Sequence, residues 1–171
     1  MRCALYFGSF NPLHIGHITI AEHVIKMDSI DCFRFVLSPH NPIKNANTLQ
    51  DAQERLNALN KTVCKLNNGA VGKFEASDIE FNLPKPLYTY NTLQYLKQHE
   101  PQNKFIVIIG GDNLAIIEKW YKWREILLQF EVWVYPRKGY DARTLCKKYG
   151  TTYIDAPQID ISSTEIRNRG E

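Results

Sequence analysis

Neither sign of charge dominates this chain: 21 Lys and Arg stand against 18 Asp and Glu, a formal net charge of +3. Such a balance gives no reason to expect nucleic acid as a partner, and an anionic small molecule needs only a local basic pocket. Long apolar runs are missing, and nothing approaches bilayer-spanning length, so no membrane helix is expected. The N-terminus runs straight into an apolar segment, without the basic region, long apolar stretch and small-residue cleavage site of a signal peptide. Cysteine is sparse. Cys3, Cys32, Cys64 and Cys146 show no zinc-knuckle or redox spacing, and Cys3 and Cys32 fall in apolar runs, where they read as buried free thiols. With no disulfide framework, a reducing and cytoplasmic setting is expected. Repeats, low-complexity tracts and linkers are also lacking. What is present is an ordinary globular balance of 44% apolar, 23% charged and 12% aromatic residues. A length of 171 residues suits one domain with a full-sized core.

Short apolar runs alternate with helical patterns from end to end. Strands are expected at Cys3–Phe7, Phe33–Leu37, Lys73–Phe81, Phe105–Ile109, Glu131–Tyr135 and Thr151–Ile154. Helices are expected from near Gly16 through Ile25, after an Asp51 cap through Leu66, from Thr89 or Asn91 through Leu96, and over Ala142–Tyr149. Asn41–Gln50 is polar, contains Pro42 and reads as a mobile loop. The alternation predicts an α/β fold: a Rossmann-like, doubly wound parallel sheet in a three-layer αβα sandwich. Ligands of such sheets bind beyond the carboxyl ends of the strands, where the strand order reverses. The polar, unusual residues follow the strands: GSFNPLHIGH after Phe7, SPHNPIK after Leu37, GGDN after Ile109, PRKG after Tyr135 and DAPQIDISSTEIR after Ile154.

Two of these stretches carry phosphate chemistry. In GSFNPLHIGH, Gly8 allows a sharp turn and close approach of a ligand, and Pro12 stiffens the loop. His14 and His17 fall where a helix starts, and free N–H groups with partial positive charge attract phosphate there. Two imidazoles at that point can donate hydrogen bonds to phosphoryl oxygens. A helix cap paired with a satisfied core histidine is the plainer alternative, and a metal pair is a second, although no further ligand follows at a suitable spacing. In ISSTEIR, Ser162, Ser163 and Thr164 lie at another helix start with Arg167 one turn on. This is a phosphate cradle or an ordinary capped helix.

Together the two stretches resemble the nucleotidyltransferase superfamily with His-x-Gly-His near the N-terminus and Ile-Ser-Ser/Ala-Thr-x-x-Arg near the C-terminus. The intervening DIEF, LYTYNTL, FIVIIGGDNL, WYKWREIL and VYPRKGY extend the likeness to the bacterial nicotinate-nucleotide adenylyltransferase family over nearly the whole chain. The resemblance implies transfer of AMP from ATP to nicotinate mononucleotide, with Mg²⁺ accompanying ATP and no metal site of the protein's own. His14 and His17 are then the catalytic pair. Gly8, Ser9, Phe10, Gly16, Ser162, Ser163, Thr164 and Arg167 hold ATP. The acceptor falls to Lys44, Thr89, Gly110, Asp112, Trp120, Tyr121 and Arg137, with Trp120 stacking the pyridine ring and backbone amides near Thr89 and Tyr121 taking its carboxylate. Trp123 and Trp133 read as core or rim aromatics.

The loop carries Ser9 and Asn11 where many members have Thr and Asp. It reads NPIK where many have Pro-Pro-His-Lys, which removes a histidine at Ile43. Members continue for about another helix beyond ISSTEIR. The expectation is therefore one nucleotidyltransferase domain over residues 1–171, either without its final helix or cut short. Two further readings stay open: adenylyl transfer to another phosphate, such as nicotinamide mononucleotide or phosphopantetheine, and a non-catalytic nucleotide-binding module. Oligomeric state has no signal in the sequence.

Overall fold

The apolar runs become the strands of one parallel sheet. A computed structural model describes residues 1–27, 29–39, 48–69 and 73–158. Strands β1 (Arg2–Gly8), β2 (Cys32–Leu37), β3 (Lys73–Ser77), β4 (Lys104–Gly110), β5 (Glu131–Tyr135) and β6 (Thr152–Tyr153) lie in the order β3-β2-β1-β4-β5-β6. Every neighbouring pair is parallel. This is the doubly wound order, and its switch point falls between β1 and β4.

Successive side chains of a strand point to opposite faces, so each continuous apolar run feeds two cores at once. In β1, Ala4 and Tyr6 join one cluster with Ile20, Ala21 and Val24 of α1 (Ile15–Ile25) and Leu56, Leu59 and Val63 of α2 (Thr48–Asn68). Cys3 and Leu5 join the other, with Leu93 and Leu96 of α3 (Thr89–His99) and Leu114 of α4 (Gly111–Ala115). That second cluster also takes Ile126 of α5 (Trp123–Gln129) and Cys146 of α6 (Ala142–Tyr149). The result is the expected αβα sandwich. Among the described residues all four cysteines are free thiols, with Cys3, Cys32 and Cys146 buried, and no helix is long and apolar enough to cross a membrane.

Several boundaries differ from the sequence-based expectation. The strand expected over Lys73–Phe81 stops at Ser77, because β2, its one partner among the described residues, runs out one residue past the Val36–Ser77 pair. A 3₁₀ turn over Ile79–Phe81 follows and buries Glu80. Asp51 is not the cap of α2. The helix starts at Thr48, and Asp51 sits in its first turn, where a negative charge suits the helix dipole. Most of the loop expected over Asn41–Gln50 lies outside the described residues, and its last three positions already belong to α2. Helices α4 and α5, short and irregular in pattern, were not expected at all.

Arg34 ties three elements together on the α3 side of the sheet. Its Nε donates to Glu75 at 3.0 Å, and its two Nη atoms donate to Glu100, at the end of α3, at 3.0 and 3.1 Å. The guanidinium also lies 5.8 Å from the Phe105 ring centroid. Burial alone would raise the Glu75 carboxyl, but hydrogen bonds from Lys73 and Arg34 and their charges outweigh it and hold Glu75 below its usual value. Replacing Arg34 with Ala removes the shared partner of two part-buried carboxylates and leaves Glu75 to Lys73 and Glu100 to Asn103. It should lower the unfolding free energy by about 2–4 kcal/mol in urea titrations at neutral pH. A depressed carboxyl pKa stabilises the fold above the usual carboxylate range and stops doing so as pH falls through the depressed value. The loss caused by Arg34→Ala should therefore shrink on acidification.

Candidate active site

At the switch point, the chain leaving β1 turns to α1 on one face and the chain leaving β4 turns to α4 on the other. A cleft of about 420 Å³ opens between them. Gly8, Ser9, Phe10, His14, Gly16 and His17 line it from the β1 side. Thr89, Asp112, Trp120 and Arg137 line it from the other. Lys44, Ser162, Ser163, Thr164 and Arg167 lie outside the described residues.

The β1 side is built on the first turn of α1. His14 is the N-cap, and its Nδ1 accepts the Gly16 N–H at 3.0 Å. In return, His17 Nδ1 accepts the His14 N–H at 3.1 Å. The two rings stack with centroids 3.8 Å apart. The capping role weighed as an alternative is thus real, and it serves the site. A ring nitrogen that accepts a backbone hydrogen carries none of its own, so the hydrogen of each neutral ring sits on Nε2. Burial, and then the charges of His14 and Arg137, lowers His17 to about 3. His17 is a neutral ring and a hydrogen-bond donor at physiological pH.

The sharp turn expected at Gly8 falls at Phe10, whose φ of +43° lies in the left-handed region. For a bulky residue this costs on the order of 1–2 kcal/mol. Burial holds it: Phe10 is 4% exposed, and its ring meets those of Tyr6, His17 and Phe35 edge-on at 5.2–5.7 Å. Gly8 makes room for it, since a Cβ there would come within 2.9 Å of the Phe10 ring. The Phe10 side chain therefore belongs to the core, and what it offers the cleft is backbone.

The opposite wall carries two helix starts. Thr89 opens α3, and the preceding N-cap, Tyr88, supplies no side-chain bond to the first turn. Trp120 is half-buried and packs against the second core cluster while facing the cleft. Tyr121 does not line the cleft. It is 43% exposed and stacks on Tyr88 at 4.7 Å. Gly110 also stays off the wall. It caps α4, and a Cβ there would sit 2.5 Å from Asp112 Oδ1 and 3.0 Å from Tyr135 and Arg137 carbons. Asp112 lies in the first turn of α4 and is not its cap. Its Oδ1 is buried without a hydrogen-bond partner, with Arg137 Nε 4.0 Å away.

Sequence reasoning assigned no role to several groups that line the cleft. The hydroxyls of Tyr6 and Tyr135 meet at 3.1 Å in its floor, and burial raises Tyr6 well above the usual phenol value. Both read as strand apolars. Glu80 accepts the Thr92 hydroxyl at 2.8 Å and is raised by burial against bonds from Thr92 and Ser38. Its only signal was the DIEF motif, which read as the end of a strand. Among the described residues no group of three or more His, Cys, Asp or Glu side chains could hold a metal ion.

The family model described as cytidylyltransferase-like matches residues 5–169. The probable nicotinate-nucleotide adenylyltransferase of Flavobacterium johnsoniae is 41% identical over 170 residues, covering 98% of this chain and 86% of its own. That of Bacteroides fragilis is 35% identical over 166 residues, covering 97% and 80%. Among solved structures, the Plasmodium falciparum nicotinic acid mononucleotide adenylyltransferase complexed with NaAD superposes with a TM-score of 0.79 at 20% identity, covering 98% of this chain and 82% of that one. At that identity the likeness speaks to the fold. The cleft at the switch point, the His-x-Gly-His cap and these full-length relatives lead to one conclusion: the chain belongs to the nicotinate-nucleotide adenylyltransferase family of nucleotidyltransferases.

Proposed function

We propose that this protein, as one nucleotidyltransferase domain over residues 1–171, transfers the adenylyl group of ATP to nicotinate mononucleotide, giving deamido-NAD and pyrophosphate. The observation that carries the reading is the pairing across one cleft of the His14–His17 cap with the Thr89 helix start and the Trp120 face. The first suits phosphates. The second suits a flat ring bearing a carboxylate, with the α3 amides for the anion and the indole for the ring.

The reaction needs no covalent nucleophile. A non-bridging oxygen of the acceptor's 5′-phosphate forms a bond to the α-phosphorus. The bond from that phosphorus to the oxygen bridging to the β-phosphate breaks, and its electron pair leaves with pyrophosphate. The attacking phosphate is already ionised at neutral pH, so the protein's task is positioning and charge stabilisation. His17 meets it as a preorganised neutral donor. Its Nδ1 is committed to the backbone, so Nε2–H is what remains for a phosphoryl oxygen. The buried Asp112 oxygen suits ribose hydroxyls, and Arg137 suits a phosphate. Lys44, Ser162, Ser163, Thr164 and Arg167 complete the phosphate contacts in this reading. Mg²⁺ bound with ATP neutralises phosphate charge, and in the absence of a carboxylate cluster among the described residues its ligands would be phosphate oxygens and water.

Pyrophosphate release in the presence of ATP and Mg²⁺ tests the assignment. Nicotinate mononucleotide should support release, ahead of nicotinamide mononucleotide and phosphopantetheine. ATP binding without release for any acceptor would leave only a nucleotide-binding module. His17→Ala should lower turnover by roughly 10²–10³-fold while weakening ATP binding far less. Equal losses would make His17 a ground-state or structural group. ¹⁵N NMR should show the His17 ring neutral and protonated at Nε2 between about pH 5 and 8, with no titration at the usual histidine pKa near 6.5. Trp120→Ala should raise the acceptor KM roughly tenfold or more with little effect on that of ATP. An unchanged acceptor KM would remove Trp120 from the site.

A further inference from the structure

Arg55 reaches from α2 to the two loops that leave β1 and β2. Its Nη1 donates to the Ser9 carbonyl at 2.8 Å and the Ser38 carbonyl at 3.0 Å, and its Nη2 donates to the Pro39 carbonyl at 3.1 Å. The β1–β2 ladder ends at the Gly8–Leu37 pair, with the Ser38 N–H bonded to the Gly8 carbonyl at 2.8 Å. Past that point the two chains share no further ladder, and the planar guanidinium fork takes its place. Ser9 and Ser38 both line the cleft.

The geometry bears on one peptide group in particular. A trans peptide is planar, and its C=O and N–H point in opposite directions. With the Ser9 carbonyl held by Arg55, the N–H of Phe10 is directed away from α2. Arg55 lines a separate groove together with Asn11 and Pro12, while Ser9 lines the cleft and Phe10 borders both. Phe10 is also the residue with φ of +43°, a conformation that a bulky side chain keeps only when its surroundings hold it. Its buried ring holds it from one end, and Arg55 holds the preceding carbonyl at the other.

We propose that Arg55 is a positioning residue for the nucleotide. It fixes the Ser9–Phe10 peptide with the Phe10 N–H turned to the cleft, and it locks the Ser38 loop against it. A backbone donor then stands ready for a phosphoryl oxygen of ATP without reorganisation. The inference rests on the adenylyl-transfer reading for its substrate.

The full chain is compared as wild type, Arg55→Ala and Arg55→Lys. The readouts are pyrophosphate release with ATP and nicotinate mononucleotide varied separately, calorimetric titration of ATP alone, and thermal unfolding. Arg55→Ala should lose roughly 10- to 100-fold in kcat/KM for ATP, with the acceptor KM changed by no more than about twofold. Added guanidinium should restore part of the loss in Arg55→Ala and do nothing for wild type. Arg55→Lys, a point charge without the fork, should fall between. ATP parameters that stay at wild-type values in Arg55→Ala overturn the proposal. So do losses that fall equally on ATP and acceptor, follow a lower Tm and ignore guanidinium, because those describe a fold defect. If Arg55→Ala does not fold, Arg55→Lys carries the comparison, and wild-type ATP affinity in it overturns the proposal. A wild type that releases no pyrophosphate removes the adenylyl-transfer reading instead, and the ATP titrations still decide Arg55.

Discussion

Two backbone hydrogens at the start of α1 govern the candidate site. By accepting them, the Nδ1 atoms of His14 and His17 satisfy orphan donors of the first turn and set the orientation and tautomer of both rings. Everything around the pair depends on that arrangement. Stacked on His14 and backed by the Tyr6 and Phe10 rings, the His17 imidazole sits where burial penalises a positive charge. His17 stays neutral, with its Nδ1 committed to the backbone and its Nε2–H left over.

The opposite wall works on a different principle. Asp112 keeps one buried carboxylate oxygen without a hydrogen bond among the described residues, at 4.0 Å from Arg137, and Gly110 leaves the space for it, since a methyl group there would collide with that oxygen. A buried acceptor without a hydrogen bond costs the protein free energy that a donor reaching it would recover. The Glu80–Thr92 hydrogen bond ties the 3₁₀ turn to the start of α3, with Glu80 and Thr89 both lining the cleft, while Tyr88 and Tyr121 stack on each other.

The legible part of the fold was the part written in continuous apolar runs. FIVII and FRFVL are buried on both faces of the sheet, and the alternation of runs with helical patterns reads as a doubly wound parallel sheet, while the order β3-β2-β1-β4-β5-β6 is visible only in the structure. Boundaries were less legible. The end of β3 is decided by where β2 stops offering hydrogen bonds, and no residue in Lys73–Phe81 announces it. The helices α4 and α5 occupy the stretch between two strands where local pattern is weak and packing decides.

The site divides in the same way. The sequence singled out the His-x-Gly-His stretch, Asp112 and Arg137 as polar residues directly after apolar runs, the family resemblance added Thr89 and Trp120, and all of them line one cleft. Only the tertiary structure decided what they do together. Nothing in the sequence tells that His14 and His17 cap one another's turn, that Phe10 carries the strained turn and Gly8 yields to its ring, or that Tyr121 faces away while Tyr6, Tyr135 and Glu80 come in. Arg55 reads as a surface residue of an amphipathic helix until α2 is laid against the ends of β1 and β2. Each of these depends on contacts between residues distant in sequence, and those distances exist only once the sheet has brought its strand ends to one edge.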